Sequence, residues 1–409
     1  MESSSLTNLP SDVLWRVVND KDLHPDVLLA CKLLRDARHN NARAARAYCN
    51  CKILQNIHRQ TIAKYCNCKN DTIDLSPLIS FSLLQTLNCS RCGITDLSPL
   101  SGLSSLRTLD CIGCKGIANL SPLSSLSSLQ TLKCSQCSGI TELSPLSSLS
   151  SLHTLDCSPC RGITELLPLS SLSSLRTLDC SPCSVITEFL PLSSLSSPLT
   201  LGCSGCNGIT DLSPLSGLSS LQTLRWDCEG PINDLSPLSG LSSLQTLHWG
   251  CKGPITVLSQ LSGLSSLRTL KCCHLNKTFN LSPLSGLSSL QTLELVYGIF
   301  INDLSPLSGL SSLKTLQIIA CNITNLSPLS SLSSLQTLYM NACIRITNLS
   351  PLSGLFSLHT LNCSYCKGIA DLSPLSSLSS LQNLDCSGCG ITDLSPLSSL
   401  SSLTIRGRG

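Results

Sequence analysis

From residue 75 onward the chain repeats one pattern of apolar and polar positions. In residues 97–119, LSPLSGLSSLRTLDCIGCKGIAN, leucine stands at 97, 100, 103 and 106 with two small residues in each gap. A spacing of three suits short 3₁₀-like turns, in which side chains at i and i+3 line up. Ser98 ahead of Pro99 reads as a helix start, a capping hydroxyl followed by a residue of preset φ. The next stretch, LRTLDC, alternates apolar Leu109 and Cys111 with polar Thr108 and Asp110, which predicts a half-buried strand. IGCKGIAN then turns the chain back and ends on an apolar Ile117 expected to be buried.

The unit recurs with almost no drift. LSPL or a variant of it begins at 75, 97, 120, 143, 166, 189, 212, 235, 258, 281, 304, 326, 349, 372 and 394. Leu-x-x-Leu-x-Cys-x-x-Cys resembles the Leu-x-x-Leu-x-Leu-x-x-Asn/Cys core of leucine-rich repeats. The resemblance covers residues 75–403, about four-fifths of the chain. It implies an α/β leucine-rich-repeat solenoid: a horseshoe with a parallel sheet on its concave face and 3₁₀ or short helical turns on its convex face. One such unit cannot bury its apolar face alone, so stability is shared between neighbours.

The repeat gives the cysteines their places. Eight Cys-x-x-Cys pairs, at 89/92, 111/114, 134/137, 157/160, 180/183, 203/206, 363/366 and 386/389, raise zinc, redox chemistry or disulfides. Yet the first cysteine of each pair fills a strand slot that other repeats give to Leu295, Ile318 or Met340. That is a hydrophobic slot, and free cysteine behaves as a small hydrophobe. The second cysteine stands where the repeat family often has Asn, at the start of the turn. Four zinc ligands would have to converge, whereas these cysteines form two columns. The reading is structural, with no metal and no cofactor.

Composition narrows the function. Only 12% of residues are charged and 3% aromatic, and the formal charge is +3, which makes no case for nucleic acid or an anionic membrane. There is no phosphate-binding loop and no pair of carboxylates outside the repeat pattern, so the chain is not read as an enzyme. The start, MESSSLTNLPSD, lacks the basic and then apolar stretch of a signal peptide, and no uncharged apolar run spans a bilayer. The expected compartment is the cytoplasm or nucleus, where thiols stay reduced.

The first 74 residues fall outside the pattern. Leu9, Val13, Leu14, Val17 and Val18 make an apolar stripe after Pro10, as at a helix start. A second set, Val27, Leu28, Cys31 and Leu34, follows Pro25 and Asp26. Residues 1–48 therefore read as a small all-helical domain, 49–74 as a linker or cap holding a degenerate repeat, and 75–409 as the repeat domain. Leu6…Leu9-Pro10-Ser11-Asp12-Val13-Leu14, with Ala30-Cys31-Lys32-Leu33-Leu34-Arg35, resembles an F-box; the family's Trp is absent, with Leu34 in its neighbourhood. That resemblance implies that Leu9, Pro10, Val13, Leu14 and Val17 dock the adaptor of a cullin-type ubiquitin ligase. The other reading makes these helices a cap on the open end of the solenoid. Arg35, Arg38, Arg43 and Arg46 fall near one helix face, but no aromatics interleave with them as a nucleic-acid surface would want. YCNCK occurs at 48–52 and 65–69. Cys49, Cys51, Cys66 and Cys68 leave a four-thiolate zinc site open, although Cys66 also fits the core slot of a degenerate repeat.

In a strand, alternate residues face opposite ways, so the positions between buried Leu and Cys point to the concave face. One such column is nearly all Thr. The next varies: Asn88, Asp110, Lys133, Asp156, Asp179, Gly202, Arg225, His248, Lys271, Glu294, Gln317, Tyr339, Asn362, Asp385. Its charged members with Tyr339 (Asp110, Lys133, Asp156, Asp179, Arg225, His248, Lys271 and Glu294) are the candidate partner-binding residues, acidic early and basic in the middle. Repeats over 225–303 are irregular, with Trp226 and Trp249 in core slots. Upstream, Pro198 replaces a core Leu, which predicts a weakened repeat there. The C-terminal SSLTIRGRG is expected to leave its strand incomplete and to fray.

The expectation is a non-enzymatic protein-interaction module, monomeric, recruiting a bound protein to a ubiquitin ligase. The alternative is a general leucine-rich-repeat scaffold whose N-terminal helices only cap it. Neither reading involves nucleic acid or a membrane.

Overall fold

The computed structural model describes residues 48–49, 61–66, 74–79, 81–195, 197–228, 232, 234–251, 259–273 and 280–407. The chain divides into two compact units, 1–208 and 209–409. Both are built from the same coil of strand, turn and 3₁₀ segment.

In the first unit the strands Thr61–Cys66, Leu84–Asn88, Thr108–Asp110, Thr131–Lys133, Thr154–Asp156, Thr177–Asp179 and Thr200–Gly202 lie side by side in chain order, all parallel. In the second the order runs Thr223–Cys228, Thr246–Cys251, Thr269–Cys273, Thr292–Val296, Thr315–Ile319, Thr337–Tyr339, Thr360–Asn362, Asn383–Asp385 and Thr404–Arg406. Register is strict. Thr108 opposes Thr131, Leu109 opposes Leu132 and Asp110 opposes Lys133, and the same slots meet in the following pairs. A slip by one residue would turn every core leucine outward.

The leucine triplet spacing has the cause its sequence implied. Leu100, Leu103 and Leu106 each donate their N–H to the carbonyl three residues back at 2.9 Å. All four leucines of the unit then point inward and are fully buried, with Leu109, Cys111, Cys114 and Ile117 completing the layer. Each buried leucine contributes about 1.5–3 kcal/mol relative to an exposed one, and nearly every coil repeats the same set. Pro198 is buried in its leucine slot, but it has no N–H for the bond that Leu175 makes to the Leu172 carbonyl at 2.9 Å in the preceding coil.

Three details differ from the sequence reading. The 3₁₀ segment is not capped by the Ser98 hydroxyl. Ser98–Leu100 has Leu97 as its N-cap with no side-chain bond, and the Asp96 carboxylate accepts the Ser98 N–H at 2.8 Å instead. Asn119, Asp211, Asp234, Asn280, Asp303, Asn325, Asn348, Asp371 and Asp393 do the same for their serines. A short acceptor two residues ahead reaches the backbone donor, as in other Asx turns.

Cys66 is not in the core register. Lys64 pairs with Asn88 after an irregularity between Thr61 and Ile62, so Tyr65 is the residue carried opposite Cys89. The strand Tyr48–Cys49 pairs antiparallel with this one, Tyr48 against Cys66. Lastly, the C-terminal strand is complete. Thr404, Ile405 and Arg406 pair in register with Asn383, Leu384 and Asp385, because three residues suffice for a strand as short as its neighbours.

Candidate functional site

The outward face of each sheet carries the Thr row and, beside it, the variable row. In the first unit Asp110, Lys133, Asp156 and Asp179 stand on consecutive strands. Their carboxylates are tied to the turn that follows. Asp156 Oδ1 accepts the N–H and the hydroxyl of Ser158 at 3.1 and 2.7 Å. Asp179 Oδ1 accepts the Ser181 N–H at 3.0 Å. Asp110 accepts the Ile112 N–H at 3.2 Å, the Ser90 hydroxyl and the Asn88 amide. Asn88, Asn362 and Asp385 bind the N–H two residues on in the same manner. Lys133 is the exposed member of the first-unit row.

These bonds relate the variable row to strand length. Where the slot is Asp or Asn, the strand ends there. Where it is Arg225, His248, Lys271, Glu294 or Gln317, the strand continues to Cys228, Cys251, Cys273, Val296 or Ile319. The longer side chains do not close a ring onto their own backbone two residues ahead, so extended pairing goes on. Lys133, Gly202 and Tyr339 end their strands without such a bond of their own. Beside Tyr339, Asn341 supplies the tie, donating to Asn362 Oδ1 and to the Ser364 hydroxyl, both at 2.7 Å.

The second unit therefore has a broader outward face over five strands. Arg225, His248, Lys271 and Glu294 oppose one another across successive strands. Lys271 Nζ and Glu294 Oε1 form an ion pair at 2.8 Å. The His248 imidazole is held below its ordinary pKa by partial burial first, then by Lys271 and Arg225 on either side, with Glu294 opposing. Tyr339 stands apart, beyond Gln317.

Strand extension adds a third outward row that sequence reading passed over: Asp227, Gly250, Cys273, Val296 and Ile319. Its signal was available as the next position at the two-residue strand period. A Cβ at Gly250 would meet the Asp227 carboxylate, so any side chain there moves Asp227 aside. Burial pushes the half-buried Cys273 thiol up, helped by Asp227 and Glu294 and opposed by Lys271. Leu9, Pro10, Val13, Leu14 and Val17, expected from the F-box resemblance to dock an adaptor, and Cys51 and Cys68 lie outside the described residues.

Behind the sheet the thiols are fixed from coil to coil. The turn cysteine of one repeat donates its S–H to the carbonyl at the core slot of the repeat before: Cys114 to Cys89 at 3.1 Å, Cys137 to Cys111 at 3.1 Å, Cys160 to Cys134 at 3.3 Å, Cys343 to Ile318 at 2.7 Å and Cys366 to Met340 at 2.9 Å. The Cys89 and Ile318 carbonyls gain a donor in this way, and the Cys111, Cys134 and Met340 carbonyls, which also accept the N–H three residues on, gain a second. Among the described residues no group of three His, Cys, Asp or Glu side chains is placed to hold a metal ion. No described helix is long and apolar enough to cross a membrane.

A parallel in-register strand, a tight turn and a 3₁₀ return, with leucine at most inward slots, define a leucine-rich-repeat solenoid. The family model for leucine-rich repeats in two copies matches residues 82–125 and 356–405. A comparison with curated protein sequences gave no match. Among solved structures, a leucine-rich-repeat protein of Leptospira interrogans superposes with a TM-score of 0.69 at 17% identity, covering 85% of this chain and 90% of that one. The internalin InlF of Listeria monocytogenes does so with 0.52 at 24% identity, covering 85% and 86%. The functional domain of InlJ from the same organism, described as including a cysteine ladder, gives 0.60 at 26% identity and covers 80% and 67%.

Proposed function

We propose that this leucine-rich-repeat chain is a protein-binding scaffold that does no chemistry of its own and holds its partner on the outward face of its sheet. In the second unit the contact row is Arg225, His248, Lys271 and Glu294. The observation that carries this reading is the contrast between two rows on the same strands. Thr faces Thr along one row, while the adjacent row places a cation, an imidazole, a cation and an anion in register. Such an ordered row orients a partner of complementary charge more than it adds affinity. In the first unit, Asp110, Lys133, Asp156 and Asp179 would offer a partner their remaining acceptors and the exposed ammonium.

The test is capture of binding proteins by the intact chain and by a Lys271→Glu/Glu294→Lys exchange, which keeps the ion pair and reverses its order. A protein bound by the first and lost by the second supports the reading. Capture that survives both this exchange and Arg225→Ala/His248→Ala sinks it.

A finer reading makes the chain a substrate receptor of a cullin-type ubiquitin ligase, acting in the cytoplasm or nucleus. Its support is the F-box-like Leu9-Pro10-Ser11-Asp12-Val13-Leu14 stretch. Co-purification with the ligase adaptor, lost on Leu9→Ala/Pro10→Ala in a chain that still folds, is the result it requires.

A further inference from the structure

In the first unit the 3₁₀ arm of a coil carries opposite charges at its two ends. The arm is the leucine run that leads from the turn to the next strand, residues 97–106 in one coil, with the N–H groups of Leu100, Leu103 and Leu106 bonded three residues back. Asp96 stands just ahead of it and Arg107 just after it, both exposed. Glu165 and Arg176 frame a later arm in the same way. Between these two lie an arm with an amide at each end, Asn119 and Gln130, and one framed by Glu142 and His153. Across the four arms no cation stands at the leading end and no carboxylate at the trailing end. The next arm ends the match, with Glu188 ahead of it and Leu199 behind.

The attraction between the two ends does not act within one coil. An arm of this length, at about 2 Å rise per residue, sets its ends about 20 Å apart, beyond the screening length of about 8 Å at physiological salt. Among the described residues none of Asp96, Arg107, Glu142, Glu165 and Arg176 stands in an ion pair, and Arg161 on the turn before Glu165 does not pair with it. The trailing ends are also fixed in line along the stack. The Gln130 N–H donates to the Arg107 carbonyl, the His153 N–H to that of Gln130 and the Arg176 N–H to that of His153, at 2.8, 2.8 and 2.9 Å.

We propose that the first unit docks side by side with the first unit of a second copy of this chain, trailing edge against leading edge. A copy moved along the arm, with no shift along the stack, sets Arg107 against Asp96, His153 against Glu142 and Arg176 against Glu165, while Gln130 meets Asn119, amide to amide. A copy is favoured because its coil repeat is the same. Only a partner of equal repeat keeps charge against opposite charge, and amide against amide, over successive layers. The formal charge of +3 over 409 residues leaves little net repulsion between copies. Each exposed pair is weak, so the association depends on several in register and is screened by salt. One edge meets a different edge, so the contact is heterologous, and further copies add in a row. It leaves the outward row of the second unit untouched and stands apart from the partner proposed above.

The test is sedimentation velocity on the full chain, with its thiols kept reduced, at low and at high salt. At low salt the weight-average mass should rise with concentration above that of one chain. It should fall back to that of one chain at about 0.5 M salt, where the screening length is about 4 Å. Arg107→Glu/Arg176→Glu, and separately Asp96→Lys/Glu165→Lys, should each stay monomeric at low salt, since both edges then carry the same sign at the pairing positions. An equimolar mixture of the two variants should associate again, because each supplies the charge the other lacks. Lys271→Glu/Glu294→Lys should associate as the intact chain does. A monomeric intact chain at low salt, association that survives either double variant, or a mixture that stays monomeric overturns the proposal. Asp96 also accepts the Ser98 N–H, so if its variant loses structure by circular dichroism, Arg176→Glu and Glu165→Lys, alone and mixed, decide by the same criteria.

Discussion

Gly309→Ser should stabilise the second unit, and the structure supplies both the sign and the size. On the 3₁₀ side of the coil, one slot is Ser in some repeats and Gly in others. Where it is Ser, the hydroxyl donates to a serine carbonyl of the preceding coil: Ser125 to Ser101 at 2.7 Å, Ser148 to Ser124 at 2.8 Å, Ser171 to Ser147 at 2.8 Å, Ser331 to Ser308 at 2.8 Å and Ser377 to Ser353 at 3.0 Å. Gly309 occupies this slot, has no left-handed φ, and a Cβ built on it lies 3.5 Å from the Ser285 carbonyl oxygen, an ordinary contact. Replacing a glycine whose backbone other residues can adopt gains about 0.4–1 kcal/mol from the unfolded chain. The new hydroxyl would donate to that Ser285 carbonyl, the acceptor at the equivalent offset. An exposed bond of this kind adds about 0.5 kcal/mol, the low end for a net hydrogen bond.

The sum is about 1 kcal/mol, read as a rise in the urea midpoint at unchanged slope. Gly309→Ala separates the two parts, since it keeps the entropy gain and lacks the hydroxyl. Gly240 gives the opposite sign at the same slot, because its Cβ would sit 2.7 Å from the Ser216 carbonyl oxygen. If Gly309→Ser is no more stable than Gly309→Ala, the inter-coil bond is not formed there. If Gly240→Ala matches Gly309→Ala, the packing argument is wrong.

Two further outcomes follow from the turns. The carboxylates of Asp211, Asp234, Asp371 and Asp393 are held below their ordinary pKa by the backbone N–H first and the hydroxyl second of the serine two residues on. A depressed folded pKa gives stability that is present above the unfolded value and is lost as pH falls through the folded one. Thermal melts should therefore weaken below about pH 4, and Asp→Asn at these positions should flatten that dependence, as Asn280, Asn325 and Asn348 already cap without titrating. In the core, Cys137→Ala should cost about 0.5–1.5 kcal/mol by removing one of the two donors to the buried Cys111 carbonyl, which keeps the Cys114 N–H. Cys137→Asn should cost less, because an amide N–H can serve the same carbonyl, and denaturant midpoints rank the two.

Much of this architecture was legible because its cause is periodic. Leucine every third residue and the Leu109–Cys111 alternation each state one local geometry, and fifteen copies leave the register no freedom. The column assignment of the cysteines followed from the same period. What could not be read was any contact between slots that a one-dimensional pattern treats as unrelated. Asp96 capping Ser98 was hidden behind the Ser-Pro pair, a plausible cap in its own right. Asp156 and Asp179 read as free surface charge, because only the folded turn brings Ser158 and Ser181 back to them. The shift between Thr61 and Ile62 adds a residue to one strand, and nothing in TIAKYC marks where it falls. The diagonal thiol contacts join one column to the other across coils, a relation that depends on how far each coil is offset from the next.

The link between the variable row and strand length has a consequence for how such a surface changes over time. A residue in that row does two jobs: it presents chemistry to a partner, and it ends or prolongs the strand it stands on. Exchanging an aspartate for a lysine or an arginine reverses the local charge and, in the same step, removes the carboxylate tie to the turn; where the strand then runs on, as at Arg225 and Lys271 but not at Lys133, two or three residues of sheet and a fresh outward position are added. Diversification here is therefore not a repainting of a fixed wall. Each substitution can widen or narrow the ledge, so new width and new charge arrive together, and a run of neighbouring coils such as 223–319 acquires breadth only when consecutive members make the same switch.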